Sequence, residues 1–197
     1  MAEGPDISPI LNLLEDARDA GRCAEAAAAL RVLSQLRPEN LQVKAALARA
    51  LFGAGLWQEA WDAYEVRFDL MPEVFTKVTR PGPNGPEAMP IWRGGALPES
   101  LLVMGEQGLG DTIQFARFLP MLRDRGVRVH AVLDARVHKL LAPLMEGIDL
   151  RAAGTSGRVK GVKSWLPLLN LPRALGLSPQ DYQVPVPYLA PDGERVA

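Results

Sequence analysis

The run Gly105, Glu106, Gln107, Gly108, Leu109, Gly110, Asp111 gathers residue types from which a reactive site can be built. Three glycines let the backbone come close to a ligand. A helix that starts just after them points its N-terminal amides at the same space. Asp111, at that helix start, has the chemistry of a general base, because a carboxylate within hydrogen-bond reach of a bound alcohol can take its proton. A second role is open to the same side chain: Asp111 with Gln114 three residues on reads as a variant capping box, which steadies the helix without catalysis. The spacing of Gly105, Gly108 and Gly110 is not the dinucleotide fingerprint, and no run has the phosphate-loop pattern, so NAD and ATP are poorly supported.

The remaining reactive residue types are scattered. His130, at the end of a predicted strand, and His138, in a predicted helix, stand too far from other candidates to form a triad or a metal cluster, and packing or exposure is expected for both. The lone Cys23 forms no internal disulfide, and no Cys and His set has zinc-ligand spacing, so no metal site is expected. Between Gly154 and Lys163, the residues Arg158, Lys160 and Lys163 either meet a phosphate or form a solvated loop. Arg22 and Arg31 read as ordinary surface charges.

The elements that position the glycine run have an α/β pattern. Leu101 to Met104 reads as a buried strand, and the helix after it, Thr112 to about Leu122, turns Ile113, Ala116, Leu119 and Leu122 inward, with Pro120 kinking or ending it. Strands are expected over Val127 to Leu133, Ile148 to Ala152 and Ser164 to Leu168. Helices are expected over Ala135 to Met145, interrupted by Pro143, and over Leu171 to Leu175. Alternation of this kind implies a parallel sheet whose ligands bind at the carboxyl ends of the strands, where the glycine run lies.

The first third of the chain is different. Displaced by 34 residues, it matches itself at Leu13 and Leu47, Ala20 and Ala54, Gly21 and Gly55, Glu25 and Glu59, Ala26 and Ala60, Pro38 and Pro72, and Glu39 and Glu73. That offset is the tetratricopeptide period. Glycine falls at the turns, alanine where helices cross closely, and proline where the second helix stops. Helices are predicted over Ile7 to Ala20, Ala24 to Leu36, Leu41 to Ala54 and Gln58 to Leu70. Two such repeats either present a surface to a partner protein or serve as a helical spacer that leans on the neighbouring domain. The spacing of Trp57, Trp61, Tyr64 and Phe68 places most of them on one helix face, which suits packing onto the next domain or, alternatively, a ligand. Six prolines between Met71 and Ser100 then mark a connector, with Pro90, Trp92 and Gly94 near its end and Trp92 pinning it to a core. The expected organisation is residues 1–72 as helical repeats, 73–99 as connector and 100–197 as a Rossmann-like α/β domain.

Bulk properties agree with two modest folded units in 197 residues. The chain is 48% hydrophobic and 23% charged, a balance that can bury a core. Its 22 Lys and Arg nearly cancel its 23 Asp and Glu, so nucleic acid is not an expected partner. Met1 to Pro9 lacks a basic start and an apolar stretch, and no run is long and apolar enough for a membrane span, so a cytoplasmic protein is expected.

Several segments together carry a resemblance: Trp61, Tyr64, Glu65, Arg67 and Phe68; Pro90, Trp92 and Gly94; Glu106 to Asp111 with Gln114, Phe115, Ala116 and Arg117; Leu166 to Leu168 with Asn170 to Pro172; and Val186 to Leu189. The chain resembles bacterial tetratricopeptide glycosyltransferases of the heptosyltransferase-like family, which have two Rossmann domains, and more distantly the protein O-linked N-acetylglucosamine transferases. The stretch EQGLGDTIQFARFLP is its most specific part. The resemblance implies transfer of a sugar from a nucleotide-sugar donor to a protein or saccharide acceptor. It places Asp111 where heptosyltransferases carry their base and implies substrate binding by Glu106, Gln107, Gly108, Gly110 and Gln114; the spacing from Asp111 to Pro120 departs from the family's. No other cofactor is implied. The resemblance implies a second, donor-binding Rossmann domain beyond the segment around Tyr188, whereas this sequence ends at Ala197. Either the sequence is a fragment or the product of an interrupted gene, or a second chain supplies the donor half, or the protein is a binding remnant; an exposed half-cleft would favour self-association, and transfer by these residues alone is expected to be slight. The alternative is a non-catalytic tetratricopeptide scaffold whose α/β domain is structural.

Overall fold

The computed structural model describes residues 6–75, 78–154, 159, 161–182 and 187–189. Arg158, Lys160 and Val186 lie outside the described residues, as do the first five residues and the last eight. Two compact units are present, Met1–Phe75 and Thr76–Ala197.

The first unit is helical: α1 Ser8–Asp19, α2 Cys23–Leu36, α3 Leu41–Gly53 and α4 Trp57–Tyr64, each packed on the next, with α1 also on α3. The two glycine turns, 34 residues apart in the sequence, have one geometry. Gly21 and Gly55 take left-handed φ values of 82° and 74°. The amides of Arg22 and Leu56 then close the turns on the carbonyls of Ala17 and Leu51 at 2.9 and 3.0 Å. Ala26 and Ala60, also equivalent, are buried in the common core with Leu30, Val43 and Leu51. Asn40 caps α3 by accepting the Val43 amide at 3.1 Å. Arg31 grips Glu59 with two guanidinium nitrogens at 2.7 and 2.6 Å, tying α2 to α4 across the surface.

The fourth predicted helix, Gln58 to Leu70, is two pieces. It stops at Tyr64, and a separate turn, α5 Arg67–Leu70, comes before α6 Pro72–Phe75. Between them the amides of Glu65, Val66, Phe68 and Asp69 reach carbonyls three residues back rather than four, the tighter winding that re-aims a chain. The re-aimed Arg67 is buried, its guanidinium stacked 4.6 Å from the Tyr64 ring and 4.9 Å from that of Phe68. Phe68 therefore leaves the face of Trp57, Trp61 and Tyr64, whose rings instead surround Phe52 of α3 edge-on at 5.7, 4.7 and 5.7 Å.

The second unit opens with a hairpin inside the Pro/Gly-rich connector expected from the sequence: β1 Thr79–Gly82 pairs antiparallel with β2 Gly85–Ala88. Met89 donates to Val78 at 2.9 Å, and because hydrogen-bonded pairs alternate along an antiparallel ladder, the facing Pro81 and Pro86 fall on a pair whose amides point outward. The prolines therefore remove no ladder bond. The unit continues with β3 Ser100–Met104, α7 Leu109–Ala116, α8 Leu119–Asp124, β4 Arg128–Leu133, α9 His138–Leu141, β5 Asp149–Ala152, β6 Trp165–Pro167 and α10 Leu171–Ala174. The predicted Thr112 to Leu122 helix starts earlier and is broken at Arg117 and Phe118, because Pro120 has no amide for the carbonyl four residues before it. Pro143 likewise shortens the predicted Ala135 to Met145 helix to α9 flanked by 3-10 turns.

The last four strands form one parallel sheet in the order β5-β4-β3-β6. Its central strand β3 buries Leu101, Leu102 and Val103, the continuous apolar run of a strand covered on both faces. The segment ahead of β3 is tied to the far edge: Trp165 donates its amide to Pro90 at 3.0 Å and its indole N–H to Met89 at 3.0 Å, and accepts from the Trp92 amide at 2.8 Å. Trp92 is buried and its indole donates to Ala96 at 3.2 Å, the pinning expected of it. No helix of the described residues is long and apolar enough to cross a membrane.

Gly94 has a left-handed φ of 101°, and a Cβ there would lie 2.7 Å from the carbonyl oxygen of Ala174. Gly95 shares the left-handed backbone, with φ of 85°, but faces open space. Gly94→Ala is therefore expected to destabilise the α/β unit by about 2–3 kcal/mol, and Gly95→Ala by about 1 kcal/mol. Urea unfolding of the two variants checks the difference, and equal losses would contradict the contact.

Candidate functional site

The strand order fixes where a crevice can form. From β3 the chain moves outward through β4 to β5, then returns to the opposite side of β3 as β6. The strand order thus reverses at β3, and ligands of open α/β sheets bind at the carboxyl ends of the strands beside such a reversal. The glycine run leaves β3 at this edge.

Gly105 extends the ladder one step, donating its amide to Val132 at 3.0 Å. A Cβ on it would make ordinary van der Waals contact with Leu133 at 3.4 Å and with the Thr112 hydroxyl at 3.6 Å. Glu106 is half-buried and Gln107 exposed as the chain turns outward. Gly108, in extended conformation, is the N-cap of α7. Its carbonyl receives both the amide and the hydroxyl of Thr112, each at 3.0 Å, and Thr112 itself is buried.

Asp111 is consequently the third residue of α7 and not its cap. The capping box expected of Asp111 and Gln114 is absent, because the helix begins at Leu109 and its N-cap, Gly108, has no side chain to bond with. The Asp111 carboxylate instead folds back toward Gly108, with one oxygen 3.6 Å from where a Cβ on that glycine would sit. An acidic side chain in the first turn also interacts favourably with the amides of a helix start. Gln114 is one turn further along the same face, exposed. Gly110 faces open space: a Cβ there would meet nothing within 4 Å. The structure thus brings Asp111, Gly108, Gly110 and Gln114 together at one helix start, with Glu106 and Gln107 on the loop that enters it.

Sequence reasoning assigns no site role to two neighbours at this edge, Asp134 and Asn170. Directly after β4, Asp134 accepts the Arg136 amide at 2.9 Å and holds its guanidinium through bonds of 2.9 and 2.7 Å, in a 3-10 turn that packs on α7. The bonds from Arg136 hold the Asp134 carboxyl down to about 2. After β6, Asn170 is buried in the turn Leu168–Asn170, which also packs on α7. Neither has a periodic signature; an Asp two residues before an Arg at a strand end is the available hint. The histidines lie apart from one another: His138 approaches the Leu133 carbonyl at 3.1 Å, and His130 pairs with Asp149 at 2.7 Å between β4 and β5. Arg151 and then His130 lower the Asp149 carboxyl. Among the described residues no group of three or more His, Cys, Asp or Glu is placed to hold a metal ion.

No protein-family model matches the chain. Protein FlbA of Caulobacter vibrioides is 34% identical to it over 125 residues, which cover 62% of this chain and 19% of that protein. The chain therefore spans about a fifth of the length of this curated relative.

Gly110→Ala is expected to leave the fold intact or stabilise it by about 0.5–1 kcal/mol, because alanine suits a helix better and meets no neighbour; a large loss in thermal denaturation would contradict the open space. Asp134 titrates well below an ordinary Asp, so the stability its pair contributes is complete above about pH 3.8 and fades as pH falls toward 2. Arg136→Gln should move the carboxyl titration, monitored by carbon-detected NMR, back toward 3.8.

Proposed function

We propose that the α/β unit is the Rossmann-like, acceptor-side half of a cytoplasmic two-domain glycosyltransferase, with Asp111 as the base that activates an acceptor hydroxyl. The observation that carries this is the placement of Asp111 in the first turn of α7, beside open space at Gly110, at the switch point of a parallel sheet. The resemblance of the stretch from Glu106 to Pro120 to heptosyltransferase-like enzymes supplies the reaction class. In the proposed step the acceptor oxygen bonds to the anomeric carbon of a nucleotide sugar as its proton passes to the Asp111 carboxylate. The bond from that carbon to the diphosphate breaks, and the nucleoside diphosphate leaves with the electron pair. Glu106, Gln107 and Gln114 orient the acceptor, and Gly108 and Gly110 allow the backbone to approach it. A second Rossmann domain, in the same polypeptide or a partner chain, holds the donor, since base, acceptor and donor must meet within bonding distance. The helical unit is a pair of tetratricopeptide hairpins that presents a protein acceptor or a partner.

A second reading, a non-catalytic tetratricopeptide scaffold, is favoured by Val32 and Leu36, one turn apart on α2 and 57% and 70% exposed. Apolar side chains left open in this way suit a protein contact.

Sugar transfer by the purified chain, measured with and without the donor-binding domain of a full-length heptosyltransferase-like relative, separates the two. Activity on complementation that falls roughly 10²- to 10⁴-fold with Asp111→Asn, and also falls with Gly110→Ala although that variant stays folded, is the expected result. Silence in every mixture, or full activity in Asp111→Asn, sinks the transferase reading.

A further inference from the structure

The side of α7 that starts at Gly110 continues to a cation. Gln114 and Arg117 follow Gly110 by four and seven residues, which keeps the three on one side of the helix. Arg117 is the C-cap, still with helical φ and ψ of −58° and −18°. At a rise of about 1.5 Å per residue it stands roughly 10 Å from Gly110 along the axis. Its guanidinium lies against two rings, 5.0 Å from the centre of Phe118 and 5.8 Å from that of Tyr188. Phe118 is buried to 1% exposure, and the Tyr188 hydroxyl donates to the Ile113 carbonyl at 3.1 Å. Both rings are thus fixed before anything binds.

An aromatic ring attracts a guanidinium but does not meet its in-plane N–H donors as an oxygen does. The Arg117 Nε is buried without a hydrogen-bond partner. Other arginines of the same unit are answered by carboxylates: Arg123 by Asp124, Arg128 by Glu99, Arg136 by Asp134 and Arg151 by Asp149, all at 2.7 or 2.8 Å. Among the described residues no carboxylate pairs with Arg117. The end of α7 favours a positive charge in general, but a helix end requires no aromatic seat for it.

We propose that this side of α7 binds an acidic peptide, with an Asp or Glu carboxylate of the peptide on the guanidinium of Arg117. A carboxylate satisfies the forked donors that the rings leave open. Gln114, exposed between the two ends, carries both a donor and an acceptor, the pair that a peptide group crossing the helix requires. The open space at Gly110 leaves room for the peptide backbone. An extended peptide covers roughly 10 Å in three residues, so the acidic residue at Arg117 lies three positions from the residue at Gly110. That this second residue is a hydroxyl-bearing acceptor rests on the transferase reading; the peptide contact itself does not.

Fluorescently labelled peptides with one serine in an alanine and glycine background, and Asp, Asn or Lys three positions before or after it, test the assignment by anisotropy on the full chain. The Asp peptide of one orientation is expected to bind about tenfold tighter than its Asn counterpart. Arg117→Gln should abolish that difference, and Arg117→Glu should turn the preference toward Lys, a reversal that loss of folding does not produce. Thermal unfolding checks each variant. Equal affinity of the Asp and Asn peptides, a preference that survives Arg117→Gln, or tighter binding of glucuronate than of any peptide would each overturn the proposal. The same peptides, mixed with the chain and the donor-binding domain of a heptosyltransferase-like relative, separate the two readings. Acidic preference in binding without sugar transfer sinks the transferase reading alone. Transfer that is indifferent to the acidic residue and to Arg117 sinks the peptide site alone.

Discussion

The α/β unit depends most on the way Trp165 is held. This side chain is buried to 2% exposure, and its residue makes three hydrogen bonds to a single stretch of chain, at Met89, Pro90 and Trp92. That stretch precedes β3 in the sequence, whereas Trp165 opens β6, the last strand. The bonds therefore close the sheet from outside, with Ile91 bridging to Trp165 in parallel on the edge of β6. A lone parallel strand of three residues has little to keep it in register. Clamped between β3 and the Met89 to Trp92 segment, β6 is fixed, and with it the return of the chain to the second side of β3.

That return is what reverses the strand order of the sheet. Had β6 continued outward past β5, the order would have no reversal and the connections at the carboxyl edge would lean one way. With β3 central, the loop after it is flanked by the turn after β4, carrying Asp134 and Arg136, and by the turn after β6, carrying Asn170. The same arrangement shapes the opposite edge. There α8, α10 and the segment leading into β3 must all end side by side, and their ends enclose an open cavity.

Much of this is legible in the sequence because the local signals are strong. The strands at Leu101, Val127 and Ile148 are short apolar runs bounded by turn residues, and each is found within a residue or two of its predicted place. The glycine turns of the helical unit are visible through the matches at 34 residues. Misses come where tertiary contacts or missing amides decide. The fourth helix breaks because Arg67 is drawn into an aromatic cage. The proline-rich segment forms a hairpin because its prolines fall on outward-facing amides, which depends on register and cannot be counted from composition. The apolar pattern starts the helix three residues late and so puts Asp111 at the cap. Gly108 gives no side-chain signal of capping, and its role is visible only through the bonds it receives from Thr112.

The residues of the glycine run divide by what holds them in place. Gly105 and Thr112 are held by bonds to Val132 and Gly108, so the fold itself accounts for their placement. Gly110 is accounted for by nothing nearby: it is the second residue of a helix, where alanine would be more favourable by about 0.5–1 kcal/mol and would meet no atom within 4 Å. A local choice that costs stability without any return in packing is the mark of a functional constraint more often than of a structural one. Gln114 lies one turn on from Gly110 along the same helix face, at the edge where the sheet reverses. Bare backbone at a helix start that also carries a carboxylate suits close approach of a ligand, and it is on this corner of the fold that the proposed acceptor site rests.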